Sequence, residues 1–503
     1  MYDQNHLLTR LARHAALTPD HLFAERPGRA GVTYGGLFQL AERIAAALTD
    51  AGLTPGDRVA VQVDKSTEAI ALYLGTVMAG GIFLPLNTAY TAPEVAYFLS
   101  DATPRIVVCD PAREAEIAPL SPAQTLTLAE DGSGSLMQSL PGTASFDAVA
   151  RGEDDLAAIL YTSGTTGRSK GAMLSHGNLA SNSEMLRDYW RFTRDDVLIH
   201  ALPIFHTHGL FVATNVALLA GASTVFLPRF DPRAILRAMP RATALMGVPT
   251  FYTRLLQEAD LTRELAANMR LFISGSAPML VETHRQWQER TGHTVLERYG
   301  MTETNMSTSN PYVRERRPGT VGLPLPGVEL RIIDDAGAEV PDGEIGTIQV
   351  RGANVFQGYW QMPEKTAEEL SADGWFLTGD LATRDAEGYV TIVGRAKDLI
   401  ITGGFNVYPK EIEGLIDDLP GVVESAVIGV PHPDFGEAVV AVVVPEGAAN
   451  PVATETAIRA ALEKNLAKFK QPKEIIFAPE LPRNTMGKVQ KKALRDTHDG
   501  MFS

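Results

Sequence analysis

Three features of the sequence predict an α/β protein with a large N-terminal domain of layered α/β sheets, a β-rich subdomain and a small α+β domain at the C-terminus. Ala-rich helical runs alternate with short apolar strands from Phe38 to Leu86, the pattern of sheets covered by helices. Between about 318 and 393 the texture changes to short strands separated by Gly, Pro and Asp turns. Beyond that, the chain to residue 503 resumes the alternation as a unit of its own.

In order, 38–52 reads as helix, Arg58-Val59-Ala60-Val61-Gln62-Val63 as strand, 66–79 as helix and Ile82-Phe83-Leu84-Pro85-Leu86 as strand. Further buried strands are predicted at 105–109, 157–161, 223–227, 243–247 and 271–274, with helices at 177–190, 232–239, 250–258 and 279–291. The subdomain supplies strands at 327–334, 346–352 and 389–393. The last unit reads as helix 409–418, strands 424–430 and 438–444, helix 454–466, a Lys-rich turn and strand 474–477. Two uncharged stretches, 69–93 and 201–228, approach the length of a membrane span. Gly80-Gly81 and Pro85 break the first, and Pro203, His206, His208 and Gly209 interrupt the second, so both read as buried helix followed by strand and no membrane partner is expected.

A net charge of −15 over 503 residues argues against a nucleic-acid partner held by overall charge. An anionic ligand must then be met by local clusters or backbone amides. Cys109, the one cysteine, closes the apolar run Ile106-Val107-Val108 and reads as buried; a lone thiol forms neither an internal disulfide nor a Cys-based metal cage, which fits a reducing compartment. The first residues have no charged-then-apolar layout, so the expected location is cytoplasmic.

The segment Tyr161-Thr162-Ser163-Gly164-Thr165-Thr166-Gly167-Arg168-Ser169-Lys170-Gly171 leaves an apolar strand and is expected to precede a helix. Its small residues can bring several backbone N–H groups onto phosphate oxygens. The G-x-x-G-x-x-K spacing is neither a P-loop nor G-x-G-x-x-G. Alone, the segment reads equally well as a mobile surface loop.

Four further motifs follow it: Tyr299-Gly300-Met301-Thr302-Glu303, Thr378-Gly379-Asp380, Gly394-Arg395-Ala396-Lys397-Asp398 with Gly403-Gly404, and Pro482-Arg483-Asn484-Thr485-Met486-Gly487-Lys488. With these five motifs in order, the chain resembles the adenylate-forming superfamily of acyl-CoA synthetases, luciferases and peptide-synthetase adenylation domains. The resemblance implies a large domain over 1–394, a hinge at 395–397 and a mobile cap over 398–503. It also implies two steps: a carboxylate attacks the α-phosphate of ATP to give acyl-AMP and pyrophosphate, then the CoA thiol displaces AMP.

Carried onto this sequence, the resemblance gives Thr162, Ser163, Gly164, Thr165, Thr166, Gly167 and Lys170 to the ATP phosphates and Glu303 to Mg²⁺, a hard ion suited to a carboxylate. Thr302 then hydrogen-bonds an α-phosphate oxygen and Tyr299 lies against adenine; a plain Thr/Glu pair at a helix N-terminus is the alternative. Asp380 and Arg395 resemble the pair that fixes the ribose hydroxyls, approaching from two sides of the domain junction, or else they form a simple salt bridge. Lys488 resembles the lysine that neutralises charge between carboxylate and α-phosphate, a point-charge task that suits an ammonium on a flexible stem. Lys397 occupies the hinge position, and Gly403, Gly404 and Phe405 resemble the loop that turns toward the CoA tunnel. The remaining bases of the stretch from Lys464 to Arg495 read as mostly solvated, with some steering ATP and CoA.

Many relatives carry glycine before the Tyr-Gly-x-Thr-Glu motif, where this chain has Glu297-Arg298. A guanidinium there can hold a second carboxylate in a bidentate fork, at roughly 1.5–3 kcal/mol per charge-assisted bond. Alternatively, Arg298 faces outward or pairs with Glu297. Glu-Arg-Tyr-Gly-Met-Thr-Glu, Pro-Ile-Phe-His-Thr-His-Gly and Ile-Ser-Gly-Ser-Ala-Pro together are most similar to the malonyl-CoA synthetases, which implies malonate as the acid, Ser276 and His206 as further donors to it, and His208 as structural. Methylmalonate is expected as a weaker substrate. Amino-acid-adenylating relatives place an aspartate where this chain reads Gly209-Leu210-Phe211-Val212, and fatty or aryl acyl-CoA synthetases need an open apolar pocket in place of Arg298.

Overall fold

The computed structural model describes residues 2–143, 145–162, 169–403, 405–447, 451–484 and 487–502. Among them, two large sheets, a small antiparallel sheet and a C-terminal sheet account for the strands. One large sheet has six strands in the order Gln124–Thr127, Ile106–Cys109, Arg58–Gln62, Ile82–Pro85, Leu156–Thr162 and Lys170–Ser175, parallel except for the last. Ile-Val-Val-Cys is buried along its whole length because helices cover both faces, and Cys109 is buried as expected.

The other large sheet has nine strands, with Leu296–Met301, Leu271–Ser274, Ala244–Gly247, Val197–His200 and Ser223–Phe226 running parallel through its centre. Helices Tyr34–Asp50 and Thr67–Met78 share an apolar core with side chains of both sheets, including Phe23, Phe226, Ile106 and Val108. Thr67–Met78 is buried on nearly every side, the signature of a helix enclosed in the core of a large protein. It lies so close to its partner helix that a Cβ on Gly75 would stand 2.8 Å from the Ala41 carbonyl. The stretch 69–86 and most of 201–228 are thus interior, and no helix among the described residues is long and apolar enough to cross a membrane.

The β-rich subdomain is the four-stranded antiparallel sheet Glu329–Ile333, Gly346–Arg351, Phe376–Arg384 and Val390–Arg395. At Arg395 the chain leaves it through a single turn, Ala396–Asp398, and enters the C-terminal sheet at Ile400–Thr402. Helices Pro409–Asp417 and Pro451–Asn465 contribute to one apolar cluster of that unit, and Leu494 of the last helix, Lys491–His498, belongs to a second.

Two expectations change. The segment after Tyr161 does not run into a helix: strand Leu156–Thr162 pairs antiparallel with Lys170–Ser175, and helix His176–Tyr189 starts only after that second strand. The strands on either side of residues 163–169 are therefore antiparallel partners. The region 203–220 begins as one stretch of π-helix, His208–Thr214, before ordinary helix resumes at Asn215–Ala220. Gly209 sits where a Cβ would overlap the Pro203 carbonyl, so only glycine fits this turn.

Candidate active site

Sheets of parallel strands present ligands at their carboxyl ends, and the predicted residues gather there. Strand Leu296–Met301 turns tightly into Asn305–Ser309, and Thr302 and Glu303, both buried, occupy the turn. They are not at a helix N-terminus. A Cβ on Gly300 would collide with the Asn305 carbonyl, which accounts for glycine in that motif.

Strand alternation sends Glu297 and Arg298 to opposite faces, so they do not pair. The Glu297 carboxylate accepts the Met279 amide at 3.0 Å and faces His284 Nε2 at 3.1 Å. Arg298 is buried on the other face, packed over Gly275 so closely that a Cβ there would stand 2.4 Å from the guanidinium carbon. Its Nε and Nη2 have no hydrogen-bond partner among the described residues. Burial pushes its pKa down to about 9, which leaves it charged at neutral pH.

Ser276 holds a left-handed backbone, φ 72°, and its Oγ lies 3.3 Å from His208 Nδ1. His208 Nε2 is buried without a partner among the described residues. His208, which the sequence reading set aside as structural, thus stands beside Ser276 with one ring nitrogen unused. His206 lies within electrostatic reach of Arg298 and Lys488, and burial lowers it to about 4, so it is neutral.

On the nucleotide side, Glu303 Oε1 is met among the described residues by two hydroxyls, Tyr359 at 3.1 Å and Thr162 at 3.4 Å, and burial raises its pKa. A carboxylate with hydroxyl neighbours is an all-oxygen donor set, which fits Mg²⁺ completed by phosphate oxygens and water. Lys170 sits 4.0 Å from the Tyr359 ring centre and pairs with Glu369 at 3.2 Å, while the Tyr359 hydroxyl donates to Glu369 at 2.6 Å. Tyr359 and Glu369 carried no spacing signal in the sequence. Ser163, Gly164, Thr165, Thr166, Gly167 and Gly404 lie outside the described residues.

Asp380 and Arg395 face each other on neighbouring strands of the small sheet and form an ion pair of 2.6 Å, so they come from one hairpin and not from two sides of a junction. The Tyr299 hydroxyl donates to the other oxygen of Asp380 at 2.6 Å. This row of ring, carboxylate and guanidinium can receive a nucleoside along one edge.

The C-terminal unit brings Lys488 to the same cleft. A Cβ on Gly487 would lie 3.4 Å from Thr250 Oγ1 of the large sheet domain, so the turn docks directly on helix Pro249–Leu256. Lys488 is solvent-accessible yet walled in, and desolvation aided by Arg395 lowers it to about 8. Lys397 lies in the connecting turn, its pKa lowered by burial. Gly403 (φ 57°) and Phe405 lie on the cap, and Phe405 stacks on Phe469 in the open with ring centres 4.6 Å apart. The basic stretch is less solvated than expected: Lys470, Arg483, Lys491 and Arg495 all form ion pairs.

A fold of two sheet domains under a small cap, with a metal-competent carboxylate, a nucleoside edge and a buried anion receptor in one cleft, defines an enzyme that brings an acid against a nucleotide. The comparisons name the family: the chain belongs to the AMP-binding enzymes, whose family matches residues 11–360, and the AMP-binding enzyme C-terminal domain matches 411–488. It is 35% identical over 488 residues to a malonate–CoA ligase of Arabidopsis thaliana, covering 88% of this chain and 78% of that one. It is also 35% identical to a feruloyl-CoA synthase of Amycolatopsis, covering 96% and 97% of the two chains. Among solved structures, the crystal structure of ATP-bound MatB from Rhodopseudomonas palustris matches with 59% identity, a TM-score of 0.94 and coverage of 98% and 99%. Apo MatB from the same organism, at the same identity, gives 0.85 with coverage of 99% and 100%.

Proposed function

We propose that this chain is an AMP-forming malonate–CoA ligase, converting malonate, ATP and CoA to malonyl-CoA, AMP and pyrophosphate through malonyl-AMP. The observation that carries the choice of acid is the Arg298 guanidinium, buried with its Nε and Nη2 unpartnered among the described residues. A monocarboxylic acid would leave that charge unsatisfied, whereas the second carboxylate of malonate meets it as a fork. The malonate–CoA ligase and MatB relatives point to the same acid.

In the first half-reaction a carboxylate oxygen of malonate attacks the α-phosphorus, and the bond to the pyrophosphate oxygen breaks. Thr302 donates to an α-phosphate oxygen, and Lys488 places its ammonium between the carboxylate and the phosphate, where negative charge accumulates. Tyr299, Asp380 and Arg395 hold the nucleoside, and the loop ending at Lys170 holds the phosphates. Glu303 would hold Mg²⁺, which when bound would supply neutralisation of phosphate charge. In the second half-reaction the CoA sulfur attacks the acyl carbon and AMP leaves with the electron pair. The malonate clamp is Arg298 with Ser276 and His206, joined here by His208.

For the domain division, residues 1–394 form the nucleotide- and acid-binding domain, 395–397 the hinge and 398–503 a cap that rotates between steps. Two observations support the present arrangement as the adenylating one: Gly487 docks on Thr250, and the fold matches ATP-bound MatB better than apo MatB at equal identity. Gly403 and Phe405, exposed here, then reach the CoA path only after rotation. A buried, unpaired Cys109 suits the reducing cytoplasm.

The test is an acid panel. With ATP, Mg²⁺ and CoA, malonate should dominate AMP and thioester formation over succinate, acetate, propionate, octanoate and coumarate. Preference for a monocarboxylic acid would refute the assigned substrate while leaving the ligase class intact.

A further inference from the structure

Lys488 reaches the cleft from a turn that carries hydrogen bonds of its own. Its amide donates to Asn484 Oδ1 at 2.9 Å, the Asn484 amide to the Lys488 carbonyl at 2.9 Å and the Gly487 amide to the Asn484 carbonyl at 2.8 Å. The body of the cap holds this turn through Leu481, Val489 and Leu494, which pack in one of its apolar clusters, and through ion pairs at its two ends. Arg483, which also donates to the Gly487 carbonyl, pairs with Glu424 of strand Val422–His432. Lys491, the first residue of the last helix, pairs with Glu413 Oε1 at 2.5 Å.

Glu413 differs from the surface acids. It is buried on helix Pro409–Asp417, and the same Oε1 accepts the Val427 amide at 2.8 Å, so its carboxylate is held by a strand as well as its own helix. Exposed ion pairs contribute little. A buried carboxylate held on a rigid frame is a different anchor, because removing its cation leaves a charge uncompensated. One helical turn further on, Arg495 bridges to Asp398 at 3.1 Å, which ties the same helix to the residue following Lys397.

We propose that Lys491 is a positioning residue for the adenylation step: through Glu413 it fixes the Lys488 turn to the cap, so that rotation of the cap delivers the Lys488 ammonium to one place in the cleft. A misplacement of about 1 Å at a reacting centre can cost about 100-fold. The inference rests on the role given to Lys488 above. It assigns Lys491 to the first half-reaction alone, since the second takes place with the cap rotated and Lys488 withdrawn.

The experiment compares Lys491→Met, Lys491→Arg, Glu413→Gln and Lys488→Ala in the full chain by malonate-dependent ATP–pyrophosphate exchange and by thioester formation from supplied malonyl-AMP and CoA. Lys491→Met and Glu413→Gln should lower kcat for exchange by about tenfold or more with KM for ATP unchanged. Both should keep wild-type thioester formation, which also reports a folded cap, and Lys491→Arg should restore most of the exchange. Unchanged exchange, parallel loss of both half-reactions, or a change confined to KM overturns the proposal. If Lys488→Ala itself retains exchange, the role of Lys488 fails and the proposal with it. If only Lys491→Met retains exchange, the anchor alone fails.

Discussion

Replacing Arg298 by methionine should move activity and stability in opposite directions. The side chain is buried and its Nε and Nη2 have no partner among the described residues, so the fold holds a poorly compensated charge over Gly275. Exchanging a buried charge for an apolar side chain of similar length stabilises by about 1–4 kcal/mol in favourable cases, so the melting temperature of the Arg298→Met protein should rise. Activity should fall, because the fork to the second carboxylate is lost. Two charge-assisted bonds at about 1.5–3 kcal/mol each amount to about 3–6 kcal/mol, which converts to roughly 10²–10⁴ in kcat/KM for malonate. Rejection of acetate, which polar-matched sites can drive to about 10⁴–10⁵, should shrink by a similar factor.

The assays are malonate-dependent AMP formation and thermal unfolding with and without malonate. Wild type should gain melting temperature on adding malonate, and the variant should not. Malonate kcat/KM within about threefold of wild type, or a variant that melts below wild type, would refute the argument that this guanidinium is held unpaired for the substrate.

Three further outcomes are expected. Lys488, lowered to about 8, is charged below that pH and neutral above it, so kcat/KM for ATP in the exchange reaction should fall as pH rises through about 8; Lys488→Arg should move this alkaline limb upward, and a flat profile to pH 9.5 or so would contradict the assignment. Asp417 of the cap is raised by burial from 3.8 to about 7, so its contribution favours the folded cap below about pH 4 and is lost as pH rises to about 7. Asp417→Asn should remove that loss, up to about 4 kcal/mol, measured as cap unfolding against pH. Methylmalonate adds one methyl group, which usually changes discrimination by about 1–3 kcal/mol; it should give slow but measurable thioester, and no product in a sensitive assay would contradict the pocket proposed.

The interior of the fold was legible because Ile106–Cys109, Ala244–Gly247 and Leu271–Ser274 are unbroken apolar runs, and such runs are what strands buried on both faces require. Helix Ala92–Ala102 was missed although Thr91 and Glu94 spell its capping box, because Pro93 was read as the end of an apolar stretch and not as a residue of the first turn. Strand Lys170–Ser175 was missed because Lys-Gly-Ala-Met-Leu-Ser lacks clean alternation, and without it the phosphate loop looked like a strand-to-helix turn. At the site the residue types were legible and the pairings were not. Asp380 with Arg395 is a register relation between strands, and Glu303 with Tyr359 spans 56 residues, so neither contact leaves a trace in local spacing.

The same distinction explains why the partners of Arg298 and the place of His208 had to be read from the structure. In sequence, Arg298 reads as a carboxylate clamp with a Glu297 pair as the alternative; strand alternation hands Glu297 to the Met279 amide and His284 and puts Arg298 on the other face, its Nε and Nη2 without a partner among the described residues. Ser276 occupies Nδ1 of His208 and leaves Nε2 unused, so two donor-bearing groups stand buried near one another without an acceptor among the described residues. Buried polar groups in a folded protein are normally satisfied, and leaving one unpaired typically costs about 1–3 kcal/mol. A cleft that concentrates such vacancies in one place is matched by a ligand that supplies acceptors there. A carboxylate with about four lone-pair sites does so, and a methyl group does not. On the proposed role of Arg298, these unpaired groups are what would separate malonate from acetate, and binding of the dicarboxylate should stabilise the large domain more than its size alone would suggest.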